Sequence, residues 1–232
     1  MAIHSKLMSI PLELQLEVED ILDMRSLLAL GGTCTYFRDH VSTTLKKERD
    51  NIIRKYWPES EVFLRILTWS HAIVTGEAAL AFVARDPSLL SPELEVCVSM
   101  HHSYDLLDSL EQQMLVTRAG AWDNWPMRDE RRPTAYLYRS PSNALMRVLC
   151  SHTTSPFTPM TSSPTTALFN YFDNFSFGCA YRDLTINRRA IAPQLPYLTA
   201  EEKARVKRIA SKGNFALSQW SAAVAYPPSP SY

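Results

Sequence analysis

Two glutamates stand two apart in the run Glu93-Leu94-Glu95-Val96-Cys97-Val98-Ser99. Strict alternation predicts a half-buried strand, with Leu94, Val96 and Val98 facing a core and Glu93 and Glu95 on the solvated face. Carboxylates that share a strand face can hold a divalent cation. Glutamate is a methylene longer than aspartate, however, and magnesium tolerates little error in geometry. Upstream, Gly76-Glu77 opens a helix-like run to residue 83. Downstream lies the basic run Lys203, Arg205, Lys207, Arg208, which reads as a solvated helix face, with contact to a phosphate or an acidic partner as the alternative. His101 and His102 are adjacent and so point apart. Ser151-His152 is a neighbour pair, which is no sign of a catalytic triad. Trp122 and Trp125 fall in a loop and are expected to be buried, although Trp favours interface hot spots. Cys34, Cys97, Cys150 and Cys179 are far apart, with no Cys-x-x-Cys and no histidine spacing for zinc, which predicts free thiols.

These residues need elements to position them. Leu14, Val18, Ile21 and Leu22 recur at helical spacing behind Pro11, which suits a first turn. Ser26 is expected to start a very short second helix, broken by Gly31-Gly32. Thr33 is the expected N-cap of a third helix carrying Phe37, Val41 and Leu45, ended before Pro58. A linking helix follows with Val62, Phe63, Ile66 and Leu67. An apolar run at 72–74, the strand at 93–99 and strands at 134–138 and 144–151 predict a sheet. Helices are expected at 104–118, at 165–172 and from Thr199 to Lys212, the last with a Thr199/Glu202 capping box and ended by Gly213. Residues 226–232 read as a disordered tail.

The chain has 232 residues, of which 46% are hydrophobic, and its formal net charge is zero. That supports a real core and disfavours general nucleic-acid binding, which draws on a basic excess. No apolar run is long enough for a bilayer span and no signal peptide is seen, so an intracellular protein, cytoplasmic or nuclear, is expected.

The stretch from Ile10 to Arg38, IPLELQLEVEDILDMRSLLALGGTCTYFR, resembles an F-box. The family's opening signature corresponds to Ile10, Pro11, Glu13 and Leu14. Its apolar positions correspond to Val18, Ile21 and Leu22, then Leu27, Leu28 and Leu30. Its close corresponds to Cys34, Phe37 and Arg38. Glu19 replaces a usual apolar residue and Ser26 a usual aspartate. The resemblance implies docking onto the Skp-type adaptor of cullin–RING ubiquitin ligases, through the apolar residues just named.

A second, weaker resemblance covers residues 66–215. Val74-Thr75-Gly76-Glu77, a spacer and Glu93-Leu94-Glu95 resemble the Gly-Ser and Asp-x-Asp pattern of nucleotidyltransferase-like proteins, including those common in fungi. Leu106, Leu107 and Leu110, the run Leu145-Met146-Arg147-Val148-Leu149 and Lys212-Gly213-Asn214-Phe215 add to it. Such enzymes place magnesium between carboxylates and attack the α-phosphate of a nucleotide. Here an anion, Glu77, stands where the family's serine meets the triphosphate, and residues 144–151 lack the third carboxylate. A degenerate site at Gly76, Glu77, Glu93 and Glu95 follows, with no catalytic residue, metal or cofactor.

The expected architecture is α+β: a three-helix F-box-like module (1–57), then a small mixed-sheet nucleotidyltransferase-like domain (58–225). The expected role is an adaptor that recruits an unidentified substrate protein to a Skp–cullin ligase, with no nucleic-acid or membrane partner. Two alternatives stand: a metal-dependent nucleotidyltransferase with a Glu-x-Glu site, and an F-box remnant packed in cis.

Overall fold

The computed structural model describes residues 10–114, 116–121, 133–140, 143–194 and 198–220. Trp122, Trp125 and the tail at 226–232 lie outside the described residues. Helix and sheet are mixed. Helices α1 (Leu12–Ile21), α2 (Met24–Gly31), α3 (Thr35–Arg54) and α4 (Ser60–Trp69) come first. Then follow β1 (Ile73–Thr75), α5 (Gly76–Val83), β2 (Glu93–Val98), α6 (Ser103–Gln113) and β3 (Thr117–Ala121). The remaining elements are β4 (Thr134–Arg139), β5 (Leu145–Cys150), β6 (Asn170–Phe172), β7 (Phe177–Cys179), α7 (Arg182–Ile186), β8 (Arg189–Pro193), α8 (Ala200–Gly213) and β9 (Ala216–Trp220).

Seven strands form one sheet in the order β3-β4-β5-β2-β1-β6-β7. Only β2 and β5 run parallel within it, with Glu95 in register with Arg147. A parallel β8–β9 pair lies apart. Strand β2 sits in the middle, so both of its edges are paired, and its two faces are covered as well. Leu94, Val96 and Val98 enter the main core as expected. Cys97, on the other face, is equally buried and meets Ile73 and Met160. The main core runs without a break from Ile53, Tyr56 and Trp57 of the α3 end to Phe63, Leu67, Phe82, Leu106 and Phe172. Trp57 stacks on Phe63 with ring centroids 5.8 Å apart. At about 1.5–3 kcal/mol for each large side chain fully buried, this contact zone ties the first helices to the sheet. No helix among the described residues is long and apolar enough to cross a membrane.

Several local expectations need correction. The helix expected over 104–118 stops at Gln113, and Thr117–Ala121 pairs with β4 instead. The β-branched Val116 and Thr117 suit a strand, and an available sheet edge decides between the two states. Residues 165–172 give one 3-10 turn and then β6, because Val74 and the β7 strand pair with it. Helix α2 is capped by Asp23, whose carboxylate accepts from the Ser26 amide at 2.7 Å, so Ser26 lies inside the first turn. Thr33 does not cap α3. Its hydroxyl donates back to the Leu30 carbonyl at 2.6 Å, and Cys34 takes the N-cap position. The capping box of Thr199 and Glu202 forms as expected, with Asn214 in the left-handed conformation after Gly213.

Candidate functional site

Gly76, Glu77, Glu93 and Glu95 come together in one cleft, between the β1–α5 turn, β2 and helix α8. Gly76 has φ +69°, a conformation open to glycine at little cost. A Cβ there would lie 2.9 Å from Arg205 Nη2 and 3.2 Å from the Glu95 Cβ, so space as well as conformation demands glycine. The turn places Glu77 in the first turn of α5.

Three arginines occupy the space between these carboxylates. Arg205 reaches from α8 with Nη1 3.0 Å from Glu95 Oε2 and Nη2 3.3 Å from Glu77 Oε2. Arg208, one turn further along, donates Nη2 to Glu77 Oε1 at 2.5 Å. Arg147 of β5 places Nε 2.5 Å from Glu93 Oε1 and Nη2 3.0 Å from Glu201 Oε1. Thr75 completes the shell by donating its hydroxyl to Glu95 Oε1 at 3.1 Å. The four carboxylates carry −4 and the three guanidiniums +3, a net of −1.

Burial pushes the Glu77 carboxyl up, but Arg205 and Arg208 outweigh it and hold the group below its ordinary range. Burial raises Glu93, and Arg147 only partly opposes the rise. Burial works against the charge of Arg205, while Glu95 and Glu77 more than compensate and fix it as a cation. Cys97, beside Thr75, is pushed far up by burial and stays a thiol.

The expectation that Glu93 and Glu95 stay solvated is therefore corrected. Glu95 is buried and Glu93 half-buried, because guanidinium partners replace water. The basic run is corrected likewise: Arg205 and Arg208 turn inward, whereas Lys207 is exposed. A magnesium ion does not suit this donor set, since a guanidinium already lies against both Glu77 and Glu95 and would repel it. Among the described residues no group of three or more metal-ligating side chains converges in a form that could hold a metal. Spacing alone did not mark Arg147, Arg205 and Arg208 as partners of these carboxylates, and nothing in it singled out Glu201. The lone charge in the apolar run Leu145–Leu149 was the available signal, because a charge on a central strand needs a partner.

Other candidates resolve simply. His102 lies against His71, ring centroids 4.8 Å apart, with Nδ1 3.8 Å from an Asp105 oxygen. Ser151 is buried, and its amide donates to the Val98 carbonyl at 2.8 Å. All four cysteines are free.

The second surface of interest is helical. Helix α1 packs with its polar side inward. Gln15 accepts from the Tyr36 hydroxyl at 3.0 Å and donates to the Ile10 carbonyl at 2.7 Å. Glu19, only 1% exposed, accepts from the Thr44 hydroxyl at 2.7 Å. Leu12, Leu14, Leu16, Val18 and Ile21 are left on the surface, Ile21 at 82%. Pro11 and Leu28 are also exposed. Ile10, Leu22, Leu30 and Cys34 are half-buried, while Leu27 and Phe37 are buried within the chain. Arg85, just past α5, clasps the end of α1. It donates to the carbonyls of Glu19, at 2.7 Å, and Leu22, and pairs with Glu48 of α3. No protein-family model, curated protein or solved structure matches this chain.

Proposed function

We propose that this chain is a protein-interaction adaptor whose first helices dock onto a Skp-type adaptor of a cullin–RING ubiquitin ligase, and that its α/β portion is a non-catalytic scaffold. One observation carries the reading: Leu14, Val18, Ile21 and Leu28 are exposed, while Gln15 and Glu19 take the inward positions. A helix packed only in cis would bury the leucines and expose the glutamate, because apolar burial is the larger gain. The same exposure argues against a remnant packed on its own domain. Leu27 and Phe37 support the module from inside.

The scaffold half of the reading rests on the cleft. Glu77, Glu93, Glu95 and a fourth carboxylate, Glu201, gather in one cleft, the feature that favours the nucleotidyltransferase alternative, yet Arg147, Arg205 and Arg208 pair with them. Transition-state stabilisation by a metal needs those carboxylates free.

The deciding experiment is co-purification with a Skp-type adaptor at micromolar concentrations of both. Wild type should form the complex. Leu14→Glu with Leu28→Glu should abolish it while leaving the sheet folded, since both side chains are exposed. Wild type that never binds the adaptor would sink the proposal.

A further inference from the structure

The two edges of the seven-stranded sheet differ in how they are protected. The β3 edge carries Arg118 and a register shift between Arg118 and Gly120, and both discourage pairing with another chain. The β7 edge has neither device and is protected only by its shortness, three residues from Phe177 to Cys179. Residues 175–181 read Phe-Ser-Phe-Gly-Cys-Ala-Tyr, without charge or proline.

Hydrogen-bond parity shows what this edge offers. Phe172 pairs with Phe177, Tyr171 with Gly178 and Asn170 with Cys179. The Ala180 amide donates to Phe169 at 3.0 Å and the Asp173 amide to Ser176 at 2.8 Å. Bonded pairs alternate along an antiparallel ladder, so the third bonded pair is Tyr171 with Gly178. The N–H and C=O groups of Phe177 and Cys179 therefore point away from β6. Among the described residues no strand pairs with that side. The turn that feeds β7 is fixed: Asp173 accepts from the amides of Phe175 and Ser176 at 2.7 and 2.6 Å, and Arg49 of α3 donates to the Asn174 carbonyl.

Beside this edge, on the face shared by Tyr171 and Gly178, lies an apolar groove of about 410 Å³ lined by Phe157, Met160, Phe169 and Tyr171. Phe157 meets Tyr171 edge-to-face at 4.8 Å. Gly178 has no side chain, and Tyr171 lies close enough that a Cβ there would sit 2.3 Å from its ring. Phe175, next to the groove's strand, is 82% exposed.

We propose that the outer edge of β7 and this groove bind an extended polypeptide segment as an added strand, with one bulky apolar side chain seated in the groove. Open main-chain donors and acceptors recognise another main chain, and a pocket on one face recognises alternate side chains. The residue facing Gly178 would point to the groove, while its two neighbours bond to Phe177 and Cys179. The site does not depend on the adaptor reading, and its test uses no adaptor.

The probes are acetyl-Thr-Val-X-Val-Thr-amide peptides with X as Gly, Ala, Leu or Phe, titrated into the full chain and followed by amide NMR. Shifts should centre on Phe177 to Cys179. Affinity should rise roughly tenfold or more from X = Gly to X = Leu, as expected for burying a leucine side chain. Phe157→Ala, at an exposed rim position, should flatten the dependence on X. Cys179→Pro should abolish binding, because it deletes an outward N–H that β6 does not use. If that variant fails to fold, the Phe157→Ala arm decides. No shift at millimolar peptide, or affinity independent of X, overturns the proposal. A self-associated chain dispersed by Cys179→Pro also overturns it, and assigns the edge to a second copy.

Discussion

Replacing Arg205 by methionine tests whether the cleft is a charge network buried in the fold. The change keeps an unbranched side chain, two atoms shorter, and removes the guanidinium that pairs with Glu77 and Glu95. Glu77 would retain Arg208, but Glu95 would keep only the Thr75 hydroxyl. Breaking a buried ion pair by removing one partner costs about 3–5 kcal/mol, because a charge is left without compensation. For a chain of this length each kcal/mol corresponds to about 2–4 °C, which predicts a midpoint lowered by about 6–20 °C. The pH dependence has a definite sign. In the wild type Glu77 is held below its ordinary value of 4.5, so its contribution is present above that pH and lost as pH falls through the folded value. In the variant Glu77 keeps its burial and loses one of the two guanidiniums that hold its carboxyl down. Its contribution above the ordinary carboxylate range is then smaller than in the wild type, so the deficit shrinks as pH falls from neutral into that range. Denaturant unfolding of both proteins at neutral pH and near pH 5 measures this directly. Adding Glu95→Gln to Arg205→Met should recover part of the loss, since the stranded charge is gone. A deficit below about 1 kcal/mol, the level of an exposed pair, would refute the reasoning. So would a deficit equal at both pH values.

Three further outcomes are expected. Gly76→Ala should cost at least about 1–2 kcal/mol from the left-handed backbone alone, with more from the collision with Arg205, read as a lowered unfolding midpoint. Arg85→Ala should speed amide exchange across α1 while exchange in β2 and β5 stays slow, since the clasp holds the helix end and not the sheet; slow exchange in α1 would show that the clasp is dispensable. Wild type and Glu93→Ala/Glu95→Ala should give the same background with labelled nucleoside triphosphates and magnesium or manganese, and metal-dependent turnover lost in the double variant would restore the enzyme reading.

The central strand was legible because its alternation fixes which side chains face the core: Leu94, Val96 and Val98 are where the pattern places them. The pattern could not say that the opposite face is buried too, because that depends on the Met160 segment folding over Cys97. Helix α8 announced its start through a local capping box. Its inward arginines depend on partners more than a hundred residues away, such as Glu77 for Arg208, and local spacing carries no trace of that. The same holds for β3 and β6. Both are short segments whose state was decided by an adjacent strand edge, a contact that propensity does not record. On α1 the apolar stripe is visible in the spacing, but its direction is set by the polar seam of Tyr36, Thr44 and Arg85.

That inside-out seating of α1 has a consequence for abundance. A chain whose leucines face water gains from any ligand that covers them: such a ligand would stabilise the folded form by mass action, about 2.7 kcal/mol at a hundredfold excess over the dissociation constant. Copies made beyond the supply of that ligand stay sticky and more readily unfolded, and so more open to chaperones and proteases. The steady-state level of this protein would then track the concentration of whatever covers Ile21 rather than its own rate of synthesis.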